Sequence, residues 1–379
     1  MNNWFFIYFL IVVVTVYSLL NYYFIKKHRN FITLQSLPAI LFRLLLFTII
    51  LTPIATIIFS KHGFPFLASI TGFVGYSWLA FLFLFLEIHG IADIILFAIR
   101  KVGYSPPQYT LKVIFLLTVF AGISILFYCR FEAQKIQIEN ITIETDKLLD
   151  HIKELTLVQL SDVHFSQIIG VKKAYQIQKL VQRENPDIIV STGDLLDRGI
   201  NNPNKITRVL KSLQAPLGKY AVTGNHEFYA GINESIEFTN KAGFKVLRNE
   251  SVLVGKTINI IGIDDKTGRM LDTSIDNTEK KLLSQINNNY YTIILKHQPR
   301  VNEKNIDFFD LQLSGHTHAG QIFPFSFIVK LVFRYIAGLY ELGCNTKLYV
   351  NRGTGTWGPP FRFLAPPEIT VIKLKNIKQ

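Results

Sequence analysis

Residues Leu313 to Gln321 read Leu-Ser-Gly-His-Thr-His-Ala-Gly-Gln, so a short apolar run ends in two imidazoles, His316 and His318, one residue apart. In an extended segment positions i and i+2 face the same way, which lets both rings reach one metal cluster, while Gly315 and Gly320 let the backbone turn around it. Four further stretches end in similar chemistry: Ser161-Asp162-Val163-His164, Gly193-Asp194-Leu195-Leu196-Asp197-Arg198-Gly199, Gly224-Asn225-His226-Glu227 and Lys296-His297-Gln298-Pro299. Oxygen and imidazole donors without thiolates favour Mn, Fe or Zn over a purely hard-cation site, and the donors suffice for two ions with one carboxylate between them. Two metals about 3.5 to 4 Å apart would clamp the attacking and leaving oxygens of a phosphoryl transfer. Each residue has an ordinary explanation on its own: Asp197 and Arg198 as a surface ion pair, Asn225 as a turn residue, His297 as a satisfied strand-end histidine. Five such stretches in one chain outweigh those explanations together.

These residues need elements that bring them to one place. From Leu155 onward, short runs rich in β-branched residues read as strands at Leu155–Leu160, Ile188–Ser191, Tyr220–Thr223, Ile258–Ile263, Tyr291–Leu295, Leu311–Leu313, Leu348–Val350 and Ile369–Leu374. Helical periods fall at Lys172–Glu184, Lys205–Leu213, Ser235–Ala242 and Thr278–Ile286. Early alternation of strand and helix predicts an α/β core, and the strand-rich second half predicts another packed sheet. All five chemical stretches then sit at strand C-termini, where open α/β sheets carry their sites.

The first third of the chain is different. Trp4 to Ile25 carries no charge and Leu37 to Ser60 only Arg43, and each exceeds the roughly 20 residues that span a hydrocarbon core. Further apolar runs cover Phe66 to Leu86 and Val113 to Tyr128, giving four candidate spans. Met-Asn-Asn supplies no positive start for a signal peptide and no small-residue cleavage pattern follows, so the first run reads as an uncleaved anchor. Ile91 to Ile99 reads as an interfacial amphipathic helix, and Glu87, His89 and Asp93 as headgroup-level residues. The resulting organisation is a membrane region at 1–130, a linker and entry at 131–153, and a catalytic domain at 154–379. Lys26, Lys27 and Arg29 follow the first span and Arg100 and Lys101 the third, whereas the second loop offers Lys61. The positive-inside rule makes loops one and three cytoplasmic, and four spans then place the catalytic domain outside the cytoplasm in a multi-pass cell-membrane protein.

Of 40 basic and 27 acidic residues, 9 and 2 lie in the first 130 positions. The basic excess of the remainder is scattered, without a stripe or a recognisable motif, so no nucleic-acid binding is expected. Two cysteines, Cys129 and Cys344, cannot build a disulfide framework or a thiolate zinc site.

Asp162-x-His164, Gly193-Asp194-x-x-Asp197-Arg198-Gly199, Gly224-Asn225-His226-Glu227, His297 and Gly315-His316-x-His318, in that order, resemble the calcineurin-like metallophosphoesterase superfamily over about Leu155 to Lys375. Gly262-Ile263-Asp264-Asp265 and the segment Gly355 to Glu368 further resemble its membrane-linked bacterial branch and multi-span animal relatives. The resemblance implies a β-sandwich flanked by helices in four layers, α-β-β-α, preceded by an all-α membrane region. It implies two divalent metal ions per site (Mn, Fe or Zn): Asp162, His164 and His318 would hold the first, and Asn225, His297 and His316 the second. Asp194 would bridge them. A water activated between the ions would attack phosphorus in line, His226 would protonate the leaving oxygen, Asp197 would orient His226, and Arg198 would help neutralise the equatorial oxygens.

The substrate is then a phosphoester. Ile322 to Ile336 is unusually apolar for a loop beside a charged site. It either lies in the bilayer interface, with Lys330 and Arg334 at headgroup level to admit a lipid-linked substrate, or packs on the domain core or the spans. Asp264 and Asp265 read as turn residues.

Overall fold

The computed structural model describes residues 3–29, 37–271, 278–343 and 345–378; Cys344 lies outside them. The chain divides into two compact units, one comprising Met1–Phe131 with Gly358–Phe361 and the other Glu132–Trp357 with Arg362–Gln379.

In the first unit, helices α1 (Asn3–Arg29), α2 (Leu37–Lys61), α3 (Pro65–Lys101) and α4 (Gln108–Gln134) follow the four apolar runs. Helices α2, α3 and α4 are long and apolar enough to cross a membrane. The separate interfacial helix expected at Ile91–Ile99 is not separate, because α3 runs unbroken for 37 residues. No proline or paired glycine interrupts it after Leu86. At 1.5 Å per residue it is roughly 55 Å long, well beyond the ~30 Å of a hydrocarbon core. Its later part carries Asp93, which accepts from Tyr23 Oη at 2.7 Å and Lys27 Nζ at 2.5 Å. His89 Nδ1 faces Thr118 Oγ1 at 3.2 Å. All three partners lie on the helices of this unit, so Asp93 and His89 are satisfied within it.

The second unit is built on two six-stranded sheets. The first has the order β1 (Gln137–Thr145), β12 (Glu368–Asn376), β2 (Glu154–Leu160), β3 (Ile188–Ser191), β4 (Lys219–Ala221) and β5 (Lys245–Val246). The second has the order β10 (Gly338–Glu341), β11 (Lys347–Val350), β9 (Leu311–Ser314), β8 (Tyr291–Lys296), β7 (Ile258–Ile263) and β6 (Glu250–Val254). The side-chain period of two sorts the apolar residues into layers. Val158, Leu160 and Ile189 pack on helices α5 (Val171–Arg183), α6 (Pro203–Lys211) and α8 (Ile232–Lys241). Their neighbours Leu155, Leu157, Ile188 and Val190 face Ile258, Ile260, Ile293, Leu295, Leu311 and Leu313 of the other sheet. On the outer side, Ile261, Ile263 and Ile294 meet Leu282 and Leu283 of α9 (Thr278–Leu283). The result is the four-layer α-β-β-α sandwich, with β3 and β7 buried at every position.

One expectation is corrected here. Gln137–Thr145, expected within the linker, forms β1 and pairs in parallel with β12 along its whole length. As an edge strand it hides little more than one face, at Ile143 and Thr145, so its sequence is largely polar and lacks the continuous apolar run of a central strand.

Candidate metal centre

Strands β2, β3 and β4 run parallel, as do β7, β8 and β9, so their C-terminal ends deliver the chemistry to one edge of the sandwich. Asp162 and His164 follow β2, Asp194 and Asp197 follow β3, Asn225 and His226 follow β4, His297 follows β8, and His316 and His318 follow β9. Backbone bonds zip these segments together: Asp162 N–H donates to Gly193 O at 3.0 Å, His164 N–H to Asp194 O at 3.0 Å, and Gly315 N–H to His297 O at 2.9 Å.

The expected extended geometry does not hold. Asp162, His164, Asp194, His316 and His318 all adopt left-handed backbone conformations, with φ of 51°, 53°, 52°, 72° and 49°. Five non-glycine residues in this sparsely populated region, all at one site, mark the backbone strain that accumulates where side chains must be aimed. His316 and His318 are accordingly turned into different groups. Glycine is needed where the segments touch: a Cβ on Gly315 would overlap Ser161 Oγ and the Asp162 carboxylate, and one on Gly224 would overlap Asp194.

Among the described residues, three groups of donors converge closely enough to hold cations: Asp162, His164 and His318; His164, Asp194 and His226; and Asp194, His297 and His316. In the first, His164 Nε2 lies 3.1 Å from His318 Nε2, and Asp162 Oδ1 lies 3.3 Å from His318 Nε2. In the last, His297 Nε2 lies 3.1 Å from His316 Nδ1, 3.2 Å from Asn225 Oδ1 and 3.2 Å from Asp194 Oδ2. Asp194 Oδ2 is also 3.8 Å from His164 Nε2, which sets it between the two.

The donor set fits divalent metal. His297 Nδ1 donates to Thr192 O at 2.8 Å, and His164 Nδ1 donates to Asp197 Oδ1 at 3.0 Å. In the neutral rings this leaves both Nε2 atoms as acceptors turned into the cluster, and that of His297 faces the oxygens of Asn225 and Asp194, an arrangement that repels itself until a proton or a cation sits among them. His318 is the exception. Arg362 Nη2 donates to its Nδ1 at 3.1 Å, so the neutral ring carries its proton on Nε2, and binding there requires that proton to leave.

The electrostatics agree. Burial alone would raise the Asp162 and Asp194 carboxyls, but the surrounding imidazoles outweigh it and hold both below the usual carboxylate range. Burial disfavours a charged His164, yet Asp197, Asp194 and Asp162 together push the ring up to about 9. Burial lowers His316 and His318 to about 4; the neighbouring His297 charge adds to it at His316, and at His318 burial prevails over the raising effect of Asp162. Protons and metal therefore compete for one set of atoms. Between pH 7 and 9, folded metal-free protein keeps a proton on His164 that the unfolded chain, with its ordinary value of 6.5, has released. That contribution to stability is present below pH 6.5 and lost as pH rises toward 9. Calorimetry should therefore show a lower Tm at pH 9 than at pH 7 without metal, and a smaller difference with saturating Mn2+. Equal metal-free Tm values would contradict the proton's place in the cluster.

His226 stands beside this pair of groups. Its Nδ1 lies 2.6 Å from Asp197 Oδ1, the oxygen that also receives His164, so one carboxylate orients both rings. Arg198 is exposed, and its Nε donates to Tyr229 O. Asp264 pairs with Arg248 at 2.7 Å, and Asp265 accepts from Gln298 Nε2 at 2.8 Å, which places both outside the donor groups.

Two residues behind the site were not foreseen. Glu227 is buried and accepts from three backbone amides: Asp194 N at 3.0 Å, Leu195 N at 2.7 Å and Gly224 N at 2.7 Å. It ties the β3 and β4 loops together, and burial with the nearby Asp194 charge pushes it up to about 7. Arg362 is fully buried, and besides His318 Nδ1 it donates to the carbonyls of Arg352 at 2.8 Å and of His318 and Ala365 at 3.1 Å. Burial lowers it to about 10, so it remains a cation at neutral pH. Both residues stand inside segments the sequence already marks, but their value is fixed by carbonyls and amides that only the fold assembles.

Residues 155–320 match the family model described as calcineurin-like phosphoesterase. An uncharacterized metallophosphoesterase of Aquifex aeolicus is 37% identical over 259 residues, covering 68% of this chain and 99% of the relative. Another, of Helicobacter pylori, is 33% identical over 371 residues, covering 95% of this chain and 96% of the relative. A Danio rerio protein described as a transmembrane protein with metallophosphoesterase domain is 33% identical over 255 residues, covering 64% of this chain and 58% of its own length.

Proposed function

The chain belongs to the calcineurin-like metallophosphoesterases and is a metal-dependent phosphoesterase; from that premise we propose a membrane-anchored two-metal hydrolase of phosphodiester or pyrophosphate bonds in lipid-linked or membrane-proximal substrates. The observation that carries this reading is the position of Asp194 between two donor groups. Asp162, His164 and His318 would hold one ion, Asn225, His297 and His316 the other, and Asp194 would be shared. Two bound divalent cations, Mn, Fe or Zn, supply Lewis acidity to a water and to the phosphoryl oxygens. His226, oriented by Asp197, gives a proton from Nε2 to the leaving oxygen. Arg198, tethered through Tyr229 O, adds positive charge for the non-bridging oxygens.

Placement at a membrane is supported by the apolar helices of the first unit and by helix α10 (Phe325–Val332), which buries none of its residues. Of the two roles open to that segment, packing on the domain core is disfavoured, with Leu331 87% exposed, Val332 61% and Phe327 59%. An exposed apolar helix with Lys330 on it suits the interface of a bilayer. The basic C-terminal ends of α1, with Lys26, Lys27 and Arg29, and of α3, with Arg100 and Lys101, favour an extracytoplasmic catalytic unit.

The test is turnover by the full-length protein in lipid nanodiscs with Mn2+, comparing bis(p-nitrophenyl) phosphate with p-nitrophenyl phosphate. Preference for the diester is expected. Preference for the monoester would favour a phosphomonoesterase acting on nucleotides or phosphoproteins. Metal-loaded, folded protein that hydrolyses neither would favour a non-catalytic membrane receptor or scaffold.

A further inference from the structure

The two ends of the metal centre have different surroundings. At one end, His226 belongs to the donor group with His164 and Asp194. Its ring is flanked edge-on by Tyr229 at 5.4 Å and Trp357 at 5.8 Å between centroids. Trp357 is half exposed, at 51%. Its backbone is nonetheless fixed: the main-chain N–H donates to Gln321 Oε1 at 2.8 Å, and Gln321 Nε2 donates to the main-chain carbonyl at 2.9 Å. An indole on an anchored backbone, with only two side-chain torsions of its own and still open to solvent, loses little entropy on binding a ring. At the other end, His316 belongs to the group with His297 and Asp194. There its ring meets Phe333 at 5.1 Å, immediately after the exposed apolar helix α10. The proton donor thus has an indole and a phenol beside it, each carrying a polar group, whereas the far end has Phe333 and the exposed, almost wholly apolar helix α10.

We propose that Trp357, with Tyr229, is a subsite for a ring-bearing polar leaving group, and that Phe333 and α10 take the apolar arm that stays on phosphorus. The inference rests on the reading of the protein as a hydrolase of lipid-linked diesters, and it fixes which bond breaks. Water oxygen bonds to phosphorus as the bond from phosphorus to the headgroup oxygen breaks. His226 Nε2 supplies the proton that the departing oxygen takes up, and the proton released by water restores it. The products are a lipid phosphate monoester and the free headgroup alcohol. The opposite orientation would put the aliphatic chain on the indole beside His226 and the polar headgroup on α10.

The experiment uses full-length protein with Mn2+ and two short-chain probes, dioctanoyl phosphatidylinositol, whose headgroup is a ring, and dioctanoyl phosphatidylglycerol, whose headgroup is not. Dioctanoyl phosphatidate and inositol are the expected products, with the ring-bearing probe preferred in kcat/KM. Trp357→Ala should lower the ratio of the two kcat/KM values about tenfold, and Trp357→Phe should restore most of it. A purely structural role for Trp357 would lower both values together and leave the ratio standing, which would overturn the subsite. Diacylglycerol and inositol phosphate as products would overturn the orientation. Hydrolysis of bis(p-nitrophenyl) phosphate without hydrolysis of either lipid would also overturn it, while leaving the two-metal hydrolase intact. Failure on all three probes would remove both.

Discussion

Asp194→Asn is expected to lower diester turnover about 10³-fold or more while the protein stays folded. Such a loss corresponds to about 4 kcal/mol of barrier. Asp194 Oδ2 stands 3.2 Å from His297 Nε2 and 3.8 Å from His164 Nε2, so it is within reach of both donor groups. Its other oxygen accepts from His226 N–H at 2.8 Å. Asparagine preserves the shape and can preserve that backbone bond. It cannot present a second anionic oxygen, and its NH2 points a donor where a cation should sit. The ion that Asp194 would share is then expected to be lost or displaced, and positioning that is worth orders of magnitude to go with it. Steady-state kinetics, with circular dichroism as the folding control, decide the matter. Turnover within tenfold of wild type would mean that Asp194 does not bridge.

The second large effect concerns stability. Glu227→Ala leaves three buried amide donors, at Asp194, Leu195 and Gly224, without their acceptor. An unsatisfied buried donor costs about 1–3 kcal/mol, and three sharing one site should cost about 4 kcal/mol together. With native stability typically 5–15 kcal/mol, that is a large share. At about 2–4 °C per kcal/mol for a domain of this size, the Tm of the catalytic unit should fall by roughly 10 °C. Glu227→Gln should fall less, since its carbonyl can still serve the two amides that share Oε2 and only the Leu195 amide meets a second donor. Scanning calorimetry of the metal-saturated protein reads both variants. A Glu227→Ala shift under about 2 °C would show that water replaces the carboxylate.

What the sequence makes legible follows from burial. Strands β3 and β7, buried at all positions, appear in the sequence as short isoleucine-rich runs and have the expected boundaries. The ligands at strand ends are legible for a related reason: Asp, His and Asn directly after a buried strand have few structural uses. Edge elements are less visible. Strand β1 hides few of its residues and β10 none, so neither carries the signature of a core strand. Helix α10 escapes because no residue of it is buried, leaving only an apolar stretch with no periodicity imposed by a core. The left-handed turns at His316 and His318 could not be read either. Backbone strain at non-glycine positions has no residue-type marker, and the prediction from extended geometry fails there although both rings do reach the centre. Glu227 and Arg362 were hidden differently, because their partners are backbone groups from other segments. The double duty of Asp197, on His164 as well as His226, is a third case of this kind.

The measurement closest to the central claim is the metal content of the purified full-length protein after Mn2+ loading and removal of free ion, by plasma mass spectrometry against protein concentration. Two donor groups sharing Asp194 predict about two ions per chain, falling below one in Asp194→Asn. A single ion per chain in the wild type, unchanged by that substitution, would contradict a shared two-metal centre.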